Sequence, residues 1–335
     1  VTVEQETIAA VVVTFNRKTL LAACLDSLLA QTHPLDAIYV IDNHSTDGTY
    51  DSLVERGLIA AVDPNDACVA ETVTGVALPG QPNRQSDIHY VRLRENTGGA
   101  GGFHEGMKRA LEAGSSWLWA MDDDLRAAPE ALAALVSRKR DLQAAQTRPF
   151  ILNSLVLAAD STNGDDLAFP LQQISKAGYP KLRSYYWRLS HVQGDATDGL
   201  YRWACPFNGT FIPAGALAEV GLPRPEFFIR GDERDFLWRV ARQYDLYTVM
   251  ASKVFHPALP MADFDWKQYY DIRNGIVVNR HLNYTTLRNL KLIAVSLMRG
   301  LRHGPRGASL VLHAVRDGFT GRLGRRDEMH TWLDA

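Results

Sequence analysis

Three consecutive carboxylates stand in the segment LWAMDDDLRA, Leu118–Ala127, directly behind an apolar run. Asp122 and Asp124 are one residue apart, so in an extended or turning segment they project to one side and Asp123 to the other. Two carboxylates and a phosphate-bearing ligand are a usual way to hold Mg2+ or Mn2+, which take hard oxygen ligands from protein, substrate and water. A solvated acidic turn, or a helix N-cap at Leu125, explains the same residues without chemistry. A lone histidine is more often structural. His256, in VFHP, gains meaning as a ligand only if it reaches these aspartates, and imidazole suits Mn2+ better than Mg2+.

Other segments carry groups of the same kind. TFNR, Thr14–Arg17, could receive a nucleotide, or be a helix entry capped by Asn16. VIDNHSTDGT, Val40–Thr49, puts Asp42 where it could accept hydrogen bonds from a base or ribose, or make a turn with Asn43. NTGGAGGFHEG, Asn96–Gly106, is glycine-rich ahead of a helix. Glycines allow close backbone approach, and a helix N-terminus favours an anion. Its spacing is neither a dinucleotide fingerprint nor a P-loop, and a turn with tight helix packing also accounts for it. FFIRGDERDFLWR, Phe227–Arg239, sets Asp232 and Glu233 at a helix start. A partly desolvated carboxylate there could act as general base on a hydroxyl, although the helix dipole alone favours acids at that place. YYDIRNG, Tyr269–Gly275, offers Arg273 to a phosphate, or is a packed helix with a surface arginine.

These residues need a scaffold, and the first part of the chain supplies alternating strand and helix patterns. Ile8–Phe15, Ala37–Asn43, Ile88–Leu93 and Trp117–Met121 read as strands. Leu20–Thr32 and Phe103–Gly114 read as helices, the second ended by its glycine. Asp63–Asp87, rich in Pro, Gly and Asp, reads as an excursion. The alternation predicts a mostly parallel sheet covered on both faces, with ligands outside the C-terminal strand ends. TFNR, DNHSTD, ENTGGAGG and DDD each follow a strand and so gather along one rim. Further on, Pro149–Ala158 reads as a strand, and Leu200–Pro223 as a strand pair leading into a helix at Ala214–Val220. Gly231–Tyr244 reads as a helix. From Trp266 onward the chain is mainly helical, amphipathic and basic.

At 335 residues and 46% hydrophobic content, the chain can bury a large core. A formal net charge of -2 gives no general reason to expect nucleic acid as a partner. The three cysteines, Cys24, Cys68 and Cys205, form neither a disulfide framework nor a zinc pattern, which favours a reducing setting. No stretch approaches the roughly 20 apolar residues of a membrane span. The opening VTVEQET lacks a basic leader region, so a cytoplasmic protein is expected.

The ordered set VVVTFNR, VIDN, ENTGGAGGF, WLWAMDDD, LAFPL, PFNGTF, FFIRGDERDF, FHP and YYDIRNG runs through most of the chain. In it the chain resembles the family 2 inverting glycosyltransferases of the GT-A fold. Among them it looks most like the actinobacterial galactofuranosyltransferases that initiate the galactan. The resemblance implies an α/β fold, with a Rossmann-like nucleotide-binding sheet, helices on both faces and a helical C-terminal region. Residues 1–260 would form the GT-A domain, with 1–125 the nucleotide-binding half and 126–260 the acceptor-binding half; residues 261–335 would be the helical region.

By the same resemblance Asp122 and Asp124 match the metal-binding DxD and His256 completes the site, for Mn2+ or Mg2+. Thr14, Phe15, Arg17, Asp42, Asn96, Gly98, Gly99 and Asp123 would line the nucleotide and diphosphate pocket. Tyr270 and Arg273 match residues on the donor-diphosphate or acceptor side, and Trp203, Phe207 and Asn208 would meet the acceptor. Glu233 falls at the catalytic base, with Asp232 before it as the alternative. The implied reaction moves galactofuranose from UDP-galactofuranose, with inversion and no covalent enzyme intermediate, to a hydroxyl of a polyprenyl-diphosphate-linked saccharide. The implied partners are a UDP-sugar donor, a lipid-linked saccharide acceptor and the inner face of the plasma membrane, touched through the basic C-terminal helices; an oligomer is left open. A rhamnosyltransferase using dTDP-rhamnose and a non-catalytic sugar-nucleotide binder are the alternatives. A nucleotidyltransferase is disfavoured, because TFNR lacks a glycine-rich activating loop.

Overall fold

The computed structural model describes residues 6–61, 70–79, 81–175, 180–205, 207–257 and 264–333. Cys68, Pro206, the opening residues 1–5 and part of the expected excursion lie outside them. The chain divides into two compact units: Val1–Asn96 with Glu105–Gly221 and Ala241–Ala258, and Thr97–His104 with Leu222–Val240 and Leu259–Ala335. The expected helical C-terminal region thus falls in the second unit, which also takes in Thr97–His104 of the glycine-rich segment and the segment carrying Glu233.

The first unit is built on a mixed sheet. Strand β1 (Ile8–Thr14) leads through α1 (Lys18–Leu29) to β2 (Ala37–Asp42) and then α2 (Thr49–Glu55). An antiparallel pair follows, β3 (Ala70–Leu78) and β4 (Gln81–Arg92). After α3 (Gly98–Glu112) come β5 (Trp117–Asp122), the two-residue β6 (Arg126–Ala127) and α4 (Ala131–Ala144). The order β4-β2-β1-β5 is parallel throughout. All seven β1 residues are buried, as expected of a parallel strand covered on both sides. Ile8, Ala10 and Val12 join a core with Leu21, Leu25 and Leu28 of α1. On the other face α3 lies so close that a β-carbon at Gly106 would come within 2.5 Å of Val11 Cγ1.

The rest of the sheet is added from later in the chain. Strand β7 (Phe150–Ala158) is followed by β8 (Asp166–Ile174), β9 (Pro180–Arg188), α5 (Leu189–Asp195) and β10 (Leu200–Tyr201). Next come β11 (Asn208–Pro213) and α6 (Ala214–Val220), and later β12 (Asp245–His256). The full order is β10-β12-β7-β11-β5-β1-β2-β4-β3, with β11 antiparallel to both β5 and β7.

Three expectations change. The excursion is largely strand: β3 and the first half of β4 form a sheet edge, because their backbone groups pair with each other. The strand pair expected in Leu200–Pro213 does not form: β10 pairs with β12, and β11 with β5 and β7. The glycine-rich segment does not precede its helix, since Gly98 and Gly99 already belong to the first turn of α3.

The second unit, apart from the start of α3, is helical: α7 (Asp232–Val240), α8 (Lys267–Val278), α9 (Thr285–Arg302), α10 (Gly304–Thr320) and the short α11 (Asp327–His330). Its core gathers Tyr269, Tyr270, Ile272 and Ile276 of α8 with Leu310, Val311 and Ala314 of α10.

Candidate active site

In the first unit the chain leaves β1 toward β2 on one side and reaches β5 on the other. The C-terminal ends of β1 and β5 therefore flank a switch in strand order, the usual ligand crevice of such sheets. The register pairs Val13 with Asp122. Thr14 and Asp123 then lie side by side, and the Thr14 hydroxyl donates to Asp123 Oδ2 at 2.6 Å. Arg17, just beyond, reaches Asp123 Oδ1 at 3.2 Å and Asp124 Oδ2 at 2.6 Å. The pairing of β6 with β12 sets Phe255 opposite Arg126, which brings His256 Nε2 to 3.2 Å from Asp124 Oδ1. His256 Nδ1 lies 2.5 Å from the Pro257 carbonyl, so this nitrogen carries the proton and Nε2 faces the carboxylate.

Electrostatically the cluster is short of positive charge. Burial, with the charges of Asp124 and Asp123, pushes Asp122 up to about 8. Burial pushes Asp123 up to about 6, against the Thr14 hydrogen bond and the Arg17 charge. Burial would raise Asp124 as well, but His256 and Arg17 hold it below the ordinary carboxylate value. Burial would lower His256, yet Asp124 raises it. Asp124 Oδ1 is buried without a well-directed hydrogen bond.

This donor set fits a hard divalent cation in part. Asp124 and His256 are adjacent and Asp124 Oδ1 is open to a further partner, which suits an ion that takes its other ligands from a diphosphate and water. Among the described residues, however, no three acidic, histidine or cysteine side chains are gathered to hold a metal. Of the expected set of Asp122, Asp124 and His256, the last two are in contact, while Asp124 also shares the Arg17 guanidinium with Asp123. Asp123 and Asp124, expected to project to opposite sides, both bond the same Arg17 nitrogen.

The other residues expected at the nucleotide separate into two groups. Phe15 stays 42% exposed, with its ring open to solvent. Asp42 is fully buried, accepting from the Ser45 N–H at 2.7 Å and the Tyr90 hydroxyl at 2.6 Å. It braces the turn after β2 instead of presenting oxygens to a ribose. Asn16 caps no helix: its φ is 53° and its Oδ1 accepts the Thr46 N–H at 2.7 Å, tying the two strand-end loops together. Asn96 and Gly99 are half-buried and Gly98 is buried. Of the expected acceptor residues, Trp203 is half-buried, but Phe207 and Asn208 are buried. Phe207 sits at φ 60° with its N–H on Thr210 Oγ1, so its ring packs inward and offers no open face.

The second unit holds Asp232, Glu233, Tyr270 and Arg273. Asp232 is 4% exposed. The Glu233 side chain is 31% exposed and its Oε2 accepts the Gly231 N–H at 2.7 Å, which orients the carboxylate at the head of α7. Tyr270 and Arg273 depart from expectation, since both are fully buried. Arg273 donates to the carbonyls of Gly324 at 2.6 Å and Phe227 at 2.9 Å and to Asn274 Oδ1 at 2.8 Å. Its charge is spent inside the unit, not on a diphosphate. Asn274 escaped the sequence reading, although a carboxamide inside the apolar run of α8 was the available signal.

Residues 9–57 and 77–156 match the family described as Glycosyl transferase family 2. Galactofuranosyltransferase GlfT1 of Mycolicibacterium smegmatis is 31% identical over 263 residues, covering 75% of this chain and 71% of that protein. The Mycobacterium tuberculosis protein of the same name is 35% identical over 257 residues, covering 75% and 70%. Among solved structures, S. aureus TarS 1–349 superposes with a TM-score of 0.55 at 12% identity over 94% of this chain and 82% of that one. The mannosyltransferase PcManGT from Pyrobaculum calidifontis, in complex with GDP-Man and Mn2+, superposes at 0.50 with 15% identity over 99% and 84%. The fold is GT-A, and the chain belongs to glycosyl transferase family 2, alongside the mycobacterial galactofuranosyltransferases.

Proposed function

We propose that the protein transfers galactofuranose from UDP-galactofuranose, with inversion, to a hydroxyl of a polyprenyl-diphosphate-linked saccharide. What carries this reading is the 31% and 35% identity to galactofuranosyltransferases in alignments covering 75% of the chain, with Asp122–Asp124 inside the region matched to the family. The exposed Phe15 ring suits stacking on a uracil, and Arg17 suits a diphosphate once it leaves Asp123 and Asp124. Asp124 and His256 would hold Mn2+ or Mg2+, with Asp122 as the third ligand. A cation held there would supply charge stabilisation for the leaving nucleoside diphosphate. Glu233 is the proposed base: it is more exposed than Asp232, the Gly231 N–H fixes Oε2, and Oε1, 3.7 Å from the half-exposed Arg234 Nε, would take the proton from the acceptor hydroxyl.

The acceptor's lipid would draw the enzyme to a membrane surface, and α9 suits that contact. Leu287, Leu290, Met298 and Leu301 are 59% to 65% exposed, and Arg288, Lys291, Arg299 and Arg302 flank them with no acidic residue on the helix. An apolar stripe with basic flanks fits an anionic bilayer. None of the described helices is long and apolar enough to cross one.

The test is a thermal-shift panel of UDP, dTDP and GDP sugars with Mn2+, followed by transfer assays. UDP-galactofuranose should rank first, and Glu233→Gln should bind it yet lose transfer. Preference for dTDP-rhamnose would replace the donor assignment, and turnover by Glu233→Gln near the parent's would remove Glu233 as base.

A further inference from the structure

The segment ahead of Glu233 departs from ordinary backbone geometry. Phe228 and Arg230 sit at φ 67° and 59°, followed by Gly231 at 92°. A positive φ at a bulky side chain is costly and persists only where the surroundings over-determine it. Here one side chain supplies most of that constraint. The Asn274 amide nitrogen lies 3.1 Å from the Phe227 carbonyl oxygen, 2.9 Å from that of Ile229 and 2.6 Å from that of Arg230. Asn274 is fully buried on α8, and its Oδ1 accepts from Arg273, which also donates to the Phe227 carbonyl. From the start of α3, the Ala100 N–H donates to the Phe228 carbonyl at 3.0 Å. A β-carbon at Gly98, itself at φ 72°, would collide with that same oxygen. The turn ends at Gly231, whose N–H holds Glu233 Oε2.

We propose that Asn274 is a positioning residue for glycosyl transfer. By sharing its two N–H donors among three carbonyls of the Phe227–Arg230 turn it fixes the Gly231 N–H, and through that N–H it fixes the carboxylate of Glu233. This rests on reading Glu233 as the base. It gives Arg273 and Asn274 a common task in holding this turn, and it gives a steric reason for the glycine-rich segment to meet FIRGDE.

The test uses the full chain carrying Asn274→Ala, Asn274→Asp or Asn274→Ser. Asp fills the same volume but turns oxygen toward the three carbonyls; Ser keeps a single donor and is the mildest change. With UDP-galactofuranose as donor, kcat should fall about 10- to 100-fold for Ala and Asp, as for a misplaced reacting group, and less for Ser. Donor KM should stay within about twofold, because ground-state binding is untouched. Amide hydrogen exchange over residues 227–233 should speed up in the same order. Combining Asn274→Ala with Glu233→Gln should cost no more than Glu233→Gln alone, since both act on one group. Folded Asn274 variants with near-parental kcat, beside an inactive Glu233→Gln, would overturn the positioning role alone. Full turnover by Glu233→Gln would overturn the base assignment and this proposal with it.

Discussion

Arg17 and a divalent cation ask for the same oxygens. The guanidinium is bonded to Asp123 and Asp124 at 3.2 and 2.6 Å, and its side chain is half exposed, so it can leave without unfolding anything. Removing it should therefore help a cation bind when no donor is present. Isothermal titration of Mn2+ into the donor-free protein should give an affinity about threefold higher for Arg17→Ala, the scale of a half-exposed ion pair. Asp124→Ala and His256→Ala should each lose about tenfold or more. Weaker Mn2+ binding in Arg17→Ala would mean that Arg17 does not compete for the cluster. Arg273 tests the opposite situation, a cation committed to the interior. Arg273→Ala leaves the Gly324 carbonyl and the buried Asn274 Oδ1 without the donor each has now and should cost about 3 kcal/mol of stability. The same variant, assayed below its melting point, should keep nucleotide affinity within about twofold. A large loss of nucleotide affinity without a change in melting would return Arg273 to the donor.

Elements decide how far such residues can move. Helix α3 lies against β1 and β2 through Gly106, whose missing β-carbon leaves Val11 Cγ1 only 2.5 Å away from where it would stand. Gly106→Val should overpack that contact and cost about 1–3 kcal/mol, read as a fall in melting temperature; an unchanged melt would mean that the helix can shift outward freely. Much of this layer was legible in the sequence because its signals are local. The buried β-branched run at Ile8–Thr14, the helix at Ala214–Val220 and the acidic start of α7 are each written within a few residues. What was not legible is pairing between distant segments. Nothing near Asn208 announces that β11 inserts between β5 and β7, and nothing near Asp63 announces an edge strand. The site divides in the same way. The strand-end placing of Thr14 and Asp122 follows from local alternation, whereas the burial of Asp42, Tyr270 and Arg273 depends on what packs over them. The exposed face of α9 is legible in its spacing and carries its own test. The full chain should sediment with vesicles rich in anionic lipid, less with zwitterionic ones, and less in high salt. Leu290→Asp should weaken this binding; equal binding to both vesicle types would remove the charge component, and a salt-independent dimer hidden by the same change would make the stripe a protein interface.

For the whole molecule, the buried carboxylates set a pH profile with two limbs. Asp235, 0% exposed, is raised by burial but held below its ordinary value on balance by His281 at 2.8 Å and Arg239 at 2.9 Å. A depressed carboxylate contributes stability above its unfolded value and loses it as pH falls through the folded value, so the acid limb should lie below about pH 4. Asp123 and Asp122 act with the opposite sign. Their folded values are raised to about 6 and about 8, so the fold binds protons there that the unfolded chain has already released. Stability contributed by that uptake is present in acid and drains away as pH climbs from about 4 through 6 to 8. A cation at Asp124 and His256 would reverse this second limb: it must displace those protons to bind, so its own stabilisation grows with pH. Melting curves between pH 5 and 9 should therefore fall on the alkaline side without metal. With millimolar Mn2+ they should flatten or rise, the shift at pH 8 exceeding that at pH 6, and Asp124→Ala should abolish the difference. A Mn2+ shift of equal size at both pH values would separate metal binding from these carboxylates and remove them as the source of the alkaline limb.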